Sequence, residues 1–246
     1  MSLKEIDFNI LDKLELEFEP VAVKYFSREP EGIPSLDGKM ALCEMLKRAQ
    51  SGALFYAGRE NHTCEAGPYI LGLKEIEKQF ISGEFGAGLG VFKDQRAASR
   101  LYHYTPRISP GVLNYVALAP LGKLNFDPDI LIILAKTSQA EVILRAMSYE
   151  SGEMWMSRYS AAIGCAWLFA QPYLSGAINY FTTGFGFGMR RRRLFPEGRQ
   201  FIAVPFDRIP GLLKTLREMP WTPRPFEPDG VEYVKNLRIA IGLDDD

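Results

Sequence analysis

Histidine is scarce in this chain, with His62 and His103 the only two. Acid–base catalysis most often rests on imidazole, and neither histidine stands in a Ser-His-Asp or Cys-His pattern with a hydrolase signature. Cysteine is scarce too. Cys43, Cys64 and Cys165 are odd in number and far apart, which argues against a disulfide framework and for reduced thiols in a cytoplasm. No apolar run approaches the ~20 residues that a membrane-spanning helix needs, and the longest, such as Ile130–Ala135, are short and strand-like. The first residues carry no basic-then-apolar leader, so the expected location is cytoplasmic, with no membrane partner. Charge of one sign is also missing: 29 Lys and Arg stand against 30 Asp and Glu, a net −1. Binders of phosphate backbones carry a large positive excess, so nucleic acid is not an expected partner.

What remains is ordinary globular material. At 246 residues, 47% of them apolar and 24% charged, the chain can bury a sizeable core as one compact unit. Residues 4–16 carry apolar positions at mostly helical spacing. VAVKYF at 21–26 alternates and is β-branched, a first strand. Met40–Gln50 places Leu42, Cys43, Leu46 and Ala49 three and four apart, an amphipathic helix with Cys43 on its apolar side, closed by Gly52. Ala53–Ala57 reads as a second strand. A helix opens near Cys64, against the breaking tendency of Gly67-Pro68, and Glu75–Ser82 reads as helix up to Gly83. Val112–Leu121, Asp129–Ala135 and Phe201–Phe206 read as strands, the middle one the most apolar. Thr137 is the expected cap of the helix SQAEVILRAMS. Ile209–Met219 is a helix with Leu212, Leu213 and Leu216 inward, a last helix falls near 230–241, and 242–246 is an expected disordered tail.

One order recurs. Cys64, Gly86–Gly90, the bases Arg96 and Arg100, and VALAPL at 116–121 run parallel to Cys165, Gly184–Gly188, Arg190–Arg193, and FIAVPF at 201–206. The pattern suggests two pseudo-repeats, about 53–150 and 151–220, preceded by the first strand and helix. The expected fold class is α/β or α+β, two similar sheet-and-helix halves fused into one unit. The two cysteine helices would then face each other across a pseudo-two-fold axis.

Candidate chemistry gathers on two features. Cys43, Cys64 and Cys165 sit at or in expected helices, two of them near N-termini where the helix dipole favours thiolate. Thiolates are soft ligands, so the three could hold zinc or an iron–sulfur cluster, with His62 as a fourth ligand. The plainer alternative is three small core residues. The second feature is the turn Gly184-Phe-Gly186-Phe-Gly188, followed by Arg190–Arg193. Such a turn can form an anion-binding nest, with Arg190 supplying bidentate contacts to a small anionic ligand. The alternative is a bulged turn beside a solvated charge run. Trp155, in the aromatic and methionine run 153–159, could mark the interface of a homo-oligomer.

Several segments together resemble a prokaryotic family known as domain of unknown function 169. They are VAVKYF, ALCEMLKRAQSG, HTCEAGPYILGL, PDILIILAKTSQAEVILRAM and GCAWLFAQPYLSGAINYFTTGFGFGMRR followed by FIAVPF. The resemblance spans roughly residues 8–220. It implies a soluble protein with cysteines at positions like Cys43, Cys64 and Cys165, and assigns no reaction. Some members look to carry further cysteines in the glycine turn, where this chain has Phe185 and Phe187, so a cluster needing those thiols would be incomplete here. The functional expectation is a cytoplasmic protein that binds a metal or iron–sulfur cofactor through the three thiols, with an anionic ligand near Gly184, Gly186, Gly188 and Arg190. A cofactor-free binding or interaction module is the other reading.

Overall fold

A computed structural model describes residues 6–222 and 231–243. Its centre is a six-stranded sheet built from β1 (Val21–Phe26), β2 (Phe55–Ala57), β3 (Tyr115–Pro120), β4 (Ile130–Ala135), β5 (Asn179–Thr182) and β6 (Gln200–Pro205). The strand order is β2-β3-β1-β4-β6-β5, and every pairing is antiparallel. Of the two fold classes open from sequence, α+β is therefore the one observed. The helices are α1 (Leu42–Gln50), α2 (Ala66–Ile70), α3 (Lys78–Ile81), α4 (Glu84–Gly88), α5 (Gln95–Tyr104), α6 (Thr137–Ser148), α7 (Gln171–Ser175), α8 (Phe187–Arg192), α9 (Ile209–Glu218) and α10 (Val231–Ala240). No helix among the described residues is long and apolar enough to cross a membrane. Residues 244–246 of the expected tail lie outside the described residues.

Strand alternation sorts the sheet into two buried faces. On one face Val21, Val23, Ile130, Ile132, Leu134, Phe201 and Phe181 meet α1, α2 and the 166–170 turn. On the other, Ala22, Leu131, Ile133, Ile202 and Val204 meet α6, α9 and a 3-10 turn at Asn9–Leu14. Burial on both faces explains why β4 is apolar throughout instead of alternating. The strand order reads as a mirror about the β1–β4 seam: each half places its last strand between its other two. Both β3 and β6 end in proline and pass into a 3-10 turn, at Leu121–Lys123 and Phe206–Arg208. The helices do not follow that mirror, because α1 packs on one face and α6 on the other.

Local chemistry accounts for the helix ends. The Glu44 carboxylate accepts the Ala41 N–H at 2.6 Å and closes the start of α1. At α6 the capping residue is Lys136, not Thr137: the Gln139 side chain accepts the Lys136 N–H at 2.7 Å and donates to Leu14 O at 2.7 Å. Gln139 thus ties the N-terminal turn to the sheet's second layer. Gly86 and Gly88, which the recurring order sets parallel to the turn at Gly184–Gly188, lie in the short helix α4.

Residues 164–175 form one helical stretch whose middle, Ala166–Ala170, is wound as a π-helix. Pro172 has no N–H to give and its ring crowds the preceding turn. The wider winding lets Gln171 N–H bond Ala166 O instead. Two carbonyls left over are taken by side chains: Asn179 Nδ2 donates to Trp167 O at 2.8 Å, and Tyr25 Oη to Phe169 O at 2.9 Å. These bonds pin the helix that carries Cys165 against β1 and β5.

Candidate functional site

The chain leaves β5 at Thr182, turns through Gly184 at φ +90°, and enters α8 after Gly186. Thr183 Oγ1 donates to Pro196 O at 2.5 Å and accepts Arg199 N–H at 3.0 Å, so the strand end is held to the segment returning into β6. Gly186 is a packing requirement. A Cβ there would overlap the Tyr159 hydroxyl, and one at Gly164 would stand 2.9 Å from it. Tyr159 stacks on Phe181 at 4.2 Å between ring centroids, and its hydroxyl is sealed from solvent with no hydrogen-bond partner. Burial pushes its pKa up.

A cavity of about 720 Å³ opens beside this turn. Its floor is aromatic: Tyr159, Phe181, Phe195 and Phe201 pack in sequence, with Phe195 edge-on to Phe201 at 4.8 Å. Its rim carries Arg190, Arg191 and Arg193 with a single carboxylate, Glu197. Arg190 lies 3.8 Å from Glu197 and both are solvated, a pairing worth ~0–1 kcal/mol. The guanidinium groups of Arg191 and Arg193 have no partner among the described residues. Arg193 is also held at φ +51°, the left-handed end of α8 that favours glycine. Of the residues expected for an anion, Gly184, Gly186 and Arg190 line this cavity. Gly188 faces a different one, on the far side of α8.

The thiols are gathered by the fold. Cys43 on α1, Cys64 just ahead of α2, and Cys165 ahead of the π-turn all belong to the core on the same sheet face. They are near enough to influence one another. Burial is the main cause that pushes Cys43 up to about 11, with Arg192 pulling it down and Cys64 and Glu44 adding to the rise. Cys165 is raised well above the ordinary thiol range, first by burial, then by Cys64 and Cys43. Both are protonated at neutral pH. His62 stands nearby, its Nδ1 within 3.1 Å of where a Gly67 Cβ would be, and neither ring nitrogen has a partner. Burial lowers its pKa to about 4, so it is a neutral ring in an apolar seat. Among the described residues, no three His, Cys, Asp or Glu side chains are placed to hold a metal ion. The fold brings Cys43, Cys64 and Cys165 to one core without building a coordination shell around them.

Phe195 and Glu197 escaped sequence reasoning, and Tyr159 entered it only as the end of the aromatic run 153–159, not as part of this site. Phe181 and Phe201 could have been placed on one face by alternation, but their partnership with Tyr159 depends on a loop that carries no periodic signal. The positive φ of Ile163, +57°, is likewise invisible in sequence. In a β-branched residue that conformation marks local strain.

Fold and site together define an α+β protein with an aromatic-floored cavity rimmed by arginine. The chain belongs to the family DUF169, described as uncharacterised ArCR, whose family model matches residues 9–215. No curated protein matches the chain, and no solved structure does.

Proposed function

We propose that the protein binds a small organic anion with a flat apolar body in the cavity beside the glycine turn. The observation that carries the reading is the pair of unpartnered guanidinium groups, Arg191 and Arg193, on the rim of a cavity floored by aromatic rings. A guanidinium recognises a carboxylate or phosphate by two parallel hydrogen bonds. Stacked aromatic rings favour a planar body, and few convergent polar groups suffice to orient it. We assign binding and no reaction.

The test is calorimetric titration with 2-naphthoate and 2-naphthol, which share a ring and differ in the anion. Naphthoate should bind, more weakly as salt is raised, and naphthol should bind at least about tenfold less tightly, the worth of one charge-assisted hydrogen bond. Arg193→Ala should weaken naphthoate by a similar factor. Equal affinity for the two ligands would dispose of the proposal.

A second reading is favoured by one specific observation, the gathering of Cys43, Cys64 and Cys165 into a single core. In it the thiols deprotonate on loading and hold zinc or an iron–sulfur cluster, with His62 alongside. The absence of a ready-made ligand set among the described residues weighs against it, because loading would have to move the buried Cys43 and Cys165 and remove their protons. Anaerobic incubation with ferrous iron and sulfide should then produce broad absorbance near ~400 nm. Colourless protein retaining no iron ends this reading and leaves the thiols as packing residues.

A further inference from the structure

A second cavity, of about 470 Å³, lies between α2–α5 and the other side of α8. Its walls are apolar and mix aliphatic side chains such as Ile76, Val91 and Leu101 with the rings of Phe80, Phe92 and Tyr102, and Cys64 opens on one side. Phe85 is 45% exposed and Leu89 38% exposed, because α4 and its C-terminal cap present these side chains to the mouth instead of to the core. The two short helices are fastened where they join. Gly83, at φ +84°, presses so closely on α5 that a Cβ would stand 2.7 Å from Ser99 N. The strained residue Ile163 belongs to this wall.

Arg191 and Arg192 line the cavity, as does Glu65, which is neutralised by Lys74 at 2.7 Å. Arg192 faces Glu44 at 3.7 Å. Pairing the ions in this way leaves Arg191 as the unbalanced charge. At ~30 Å³ per heavy atom, the packing of liquid water, the volume admits a ligand of about 15 heavy atoms.

We propose that this cavity is a separate site for an unbranched aliphatic carboxylate of about ten carbons, its chain among the apolar walls and its headgroup on Arg191. The volume bounds the length: ten carbons and two oxygens are 12 heavy atoms, within the about 15 that the space admits. The unbalanced guanidinium in an otherwise apolar lining selects a carboxylate over a neutral alcohol of the same length, because only the anion matches the charge. Cys64 is then covered by the bound chain. The two cavities are separate spaces that share Phe187 and Arg191 in their linings, and Arg193, which lines only the first, is the guanidinium that tells the two readings apart.

Cys64 supplies the readout, since Cys43 and Cys165 are buried and it alone opens on the cavity. The full-length protein is treated with N-ethylmaleimide, and the rate of modification at Cys64 is followed by peptide mass spectrometry with decanoate or decanol below their micelle or solubility limits. Calorimetry measures the same ligands in parallel. Decanoate should slow Cys64 modification in proportion to occupancy, and decanol should need about tenfold more ligand for equal protection. Arg191→Gln should raise the decanoate requirement by about the same factor. Arg100→Gln, an exposed substitution on α5 away from the cavity, should leave it unchanged. Equal protection by decanol, or an Arg191→Gln protein as sensitive as wild type, overturns the headgroup assignment and with it the proposal. Binding heat without protection of Cys64 places the ligand elsewhere, and no heat with no protection shows that the cavity does not take it. Either result overturns the proposal as well.

Discussion

Replacing Gly186 by alanine puts a methyl group where the Tyr159 hydroxyl already is. The tyrosine ring cannot easily withdraw. It is stacked on Phe181 at 4.2 Å, and its hydroxyl also abuts Gly164, where a Cβ would stand 2.9 Å away. Either the ring leaves its rotamer or the glycine turn shifts, and overpacking of this kind costs ~1–3 kcal/mol. The same oxygen contributes nothing favourable where it is, because it is sealed without a partner. Tyr159→Phe should therefore be neutral or stabilise by about 1 kcal/mol, the lower end of what a stranded buried polar group costs. It should also rescue Gly186→Ala. With the oxygen gone, the nearest ring atom lies 3.4 Å from the new methyl, an ordinary contact. Urea unfolding of wild type, both single variants and the double variant forms a cycle. The expected coupling is at least ~1 kcal/mol in the sense of rescue. A double variant no more stable than Gly186→Ala alone would show that the turn does not depend on the Tyr159 hydroxyl, and the account of its glycines would fail.

Arg193→Gly should part stability from binding: it relieves a left-handed residue at the end of α8 and stabilises by ~0.5–1 kcal/mol, while naphthoate binding weakens in calorimetry. Asn179→Ala strands Trp167 O together with the N–H and C=O of Arg158, which the amide now serves, and should cost about 3 kcal/mol by urea unfolding. Asp129 has its pKa raised, chiefly by burial, with the Tyr25 N–H and Lys24 opposing. The folded state therefore holds this proton more tightly than the unfolded one. Its contribution is favourable at low pH and declines as pH rises from the unfolded carboxylate value through the higher folded one. Asp129→Asn should accordingly stabilise the protein at pH 7 and lose that advantage near pH 4, as read by unfolding curves at the two values; an advantage that grows on acidification would contradict the sign.

Much of the architecture was legible. The β-branched run 21–26 and the unbroken apolar run 130–135 are strands for the reasons their composition suggests, and α1 and α9 bury the residues that their spacing turns inward. Short elements were less so. Glu75–Ser82 shrinks to Lys78–Ile81, and Gly86 and Gly88 fall into a helix turn, because neighbours and not propensity hold the 78–90 segment in place. At Lys136, a side-chain amide three residues on caps the helix, where a hydroxyl had been the obvious candidate.

Composition and periodicity determined the alternation of apolar positions, the near-neutral charge and the strand and helix segments, since each depends on residues a few positions apart. Only the tertiary structure decided that β1 lies beside β4, that three cysteines spread over more than a hundred residues share one core, and that α8 stands between two apolar cavities. Those outcomes depend on long-range pairing and on which face each helix covers, and neither leaves a local trace. The arginine run was visible from the start; that two of its guanidinium groups meet no carboxylate among the described residues became evident only when the chain had closed around them.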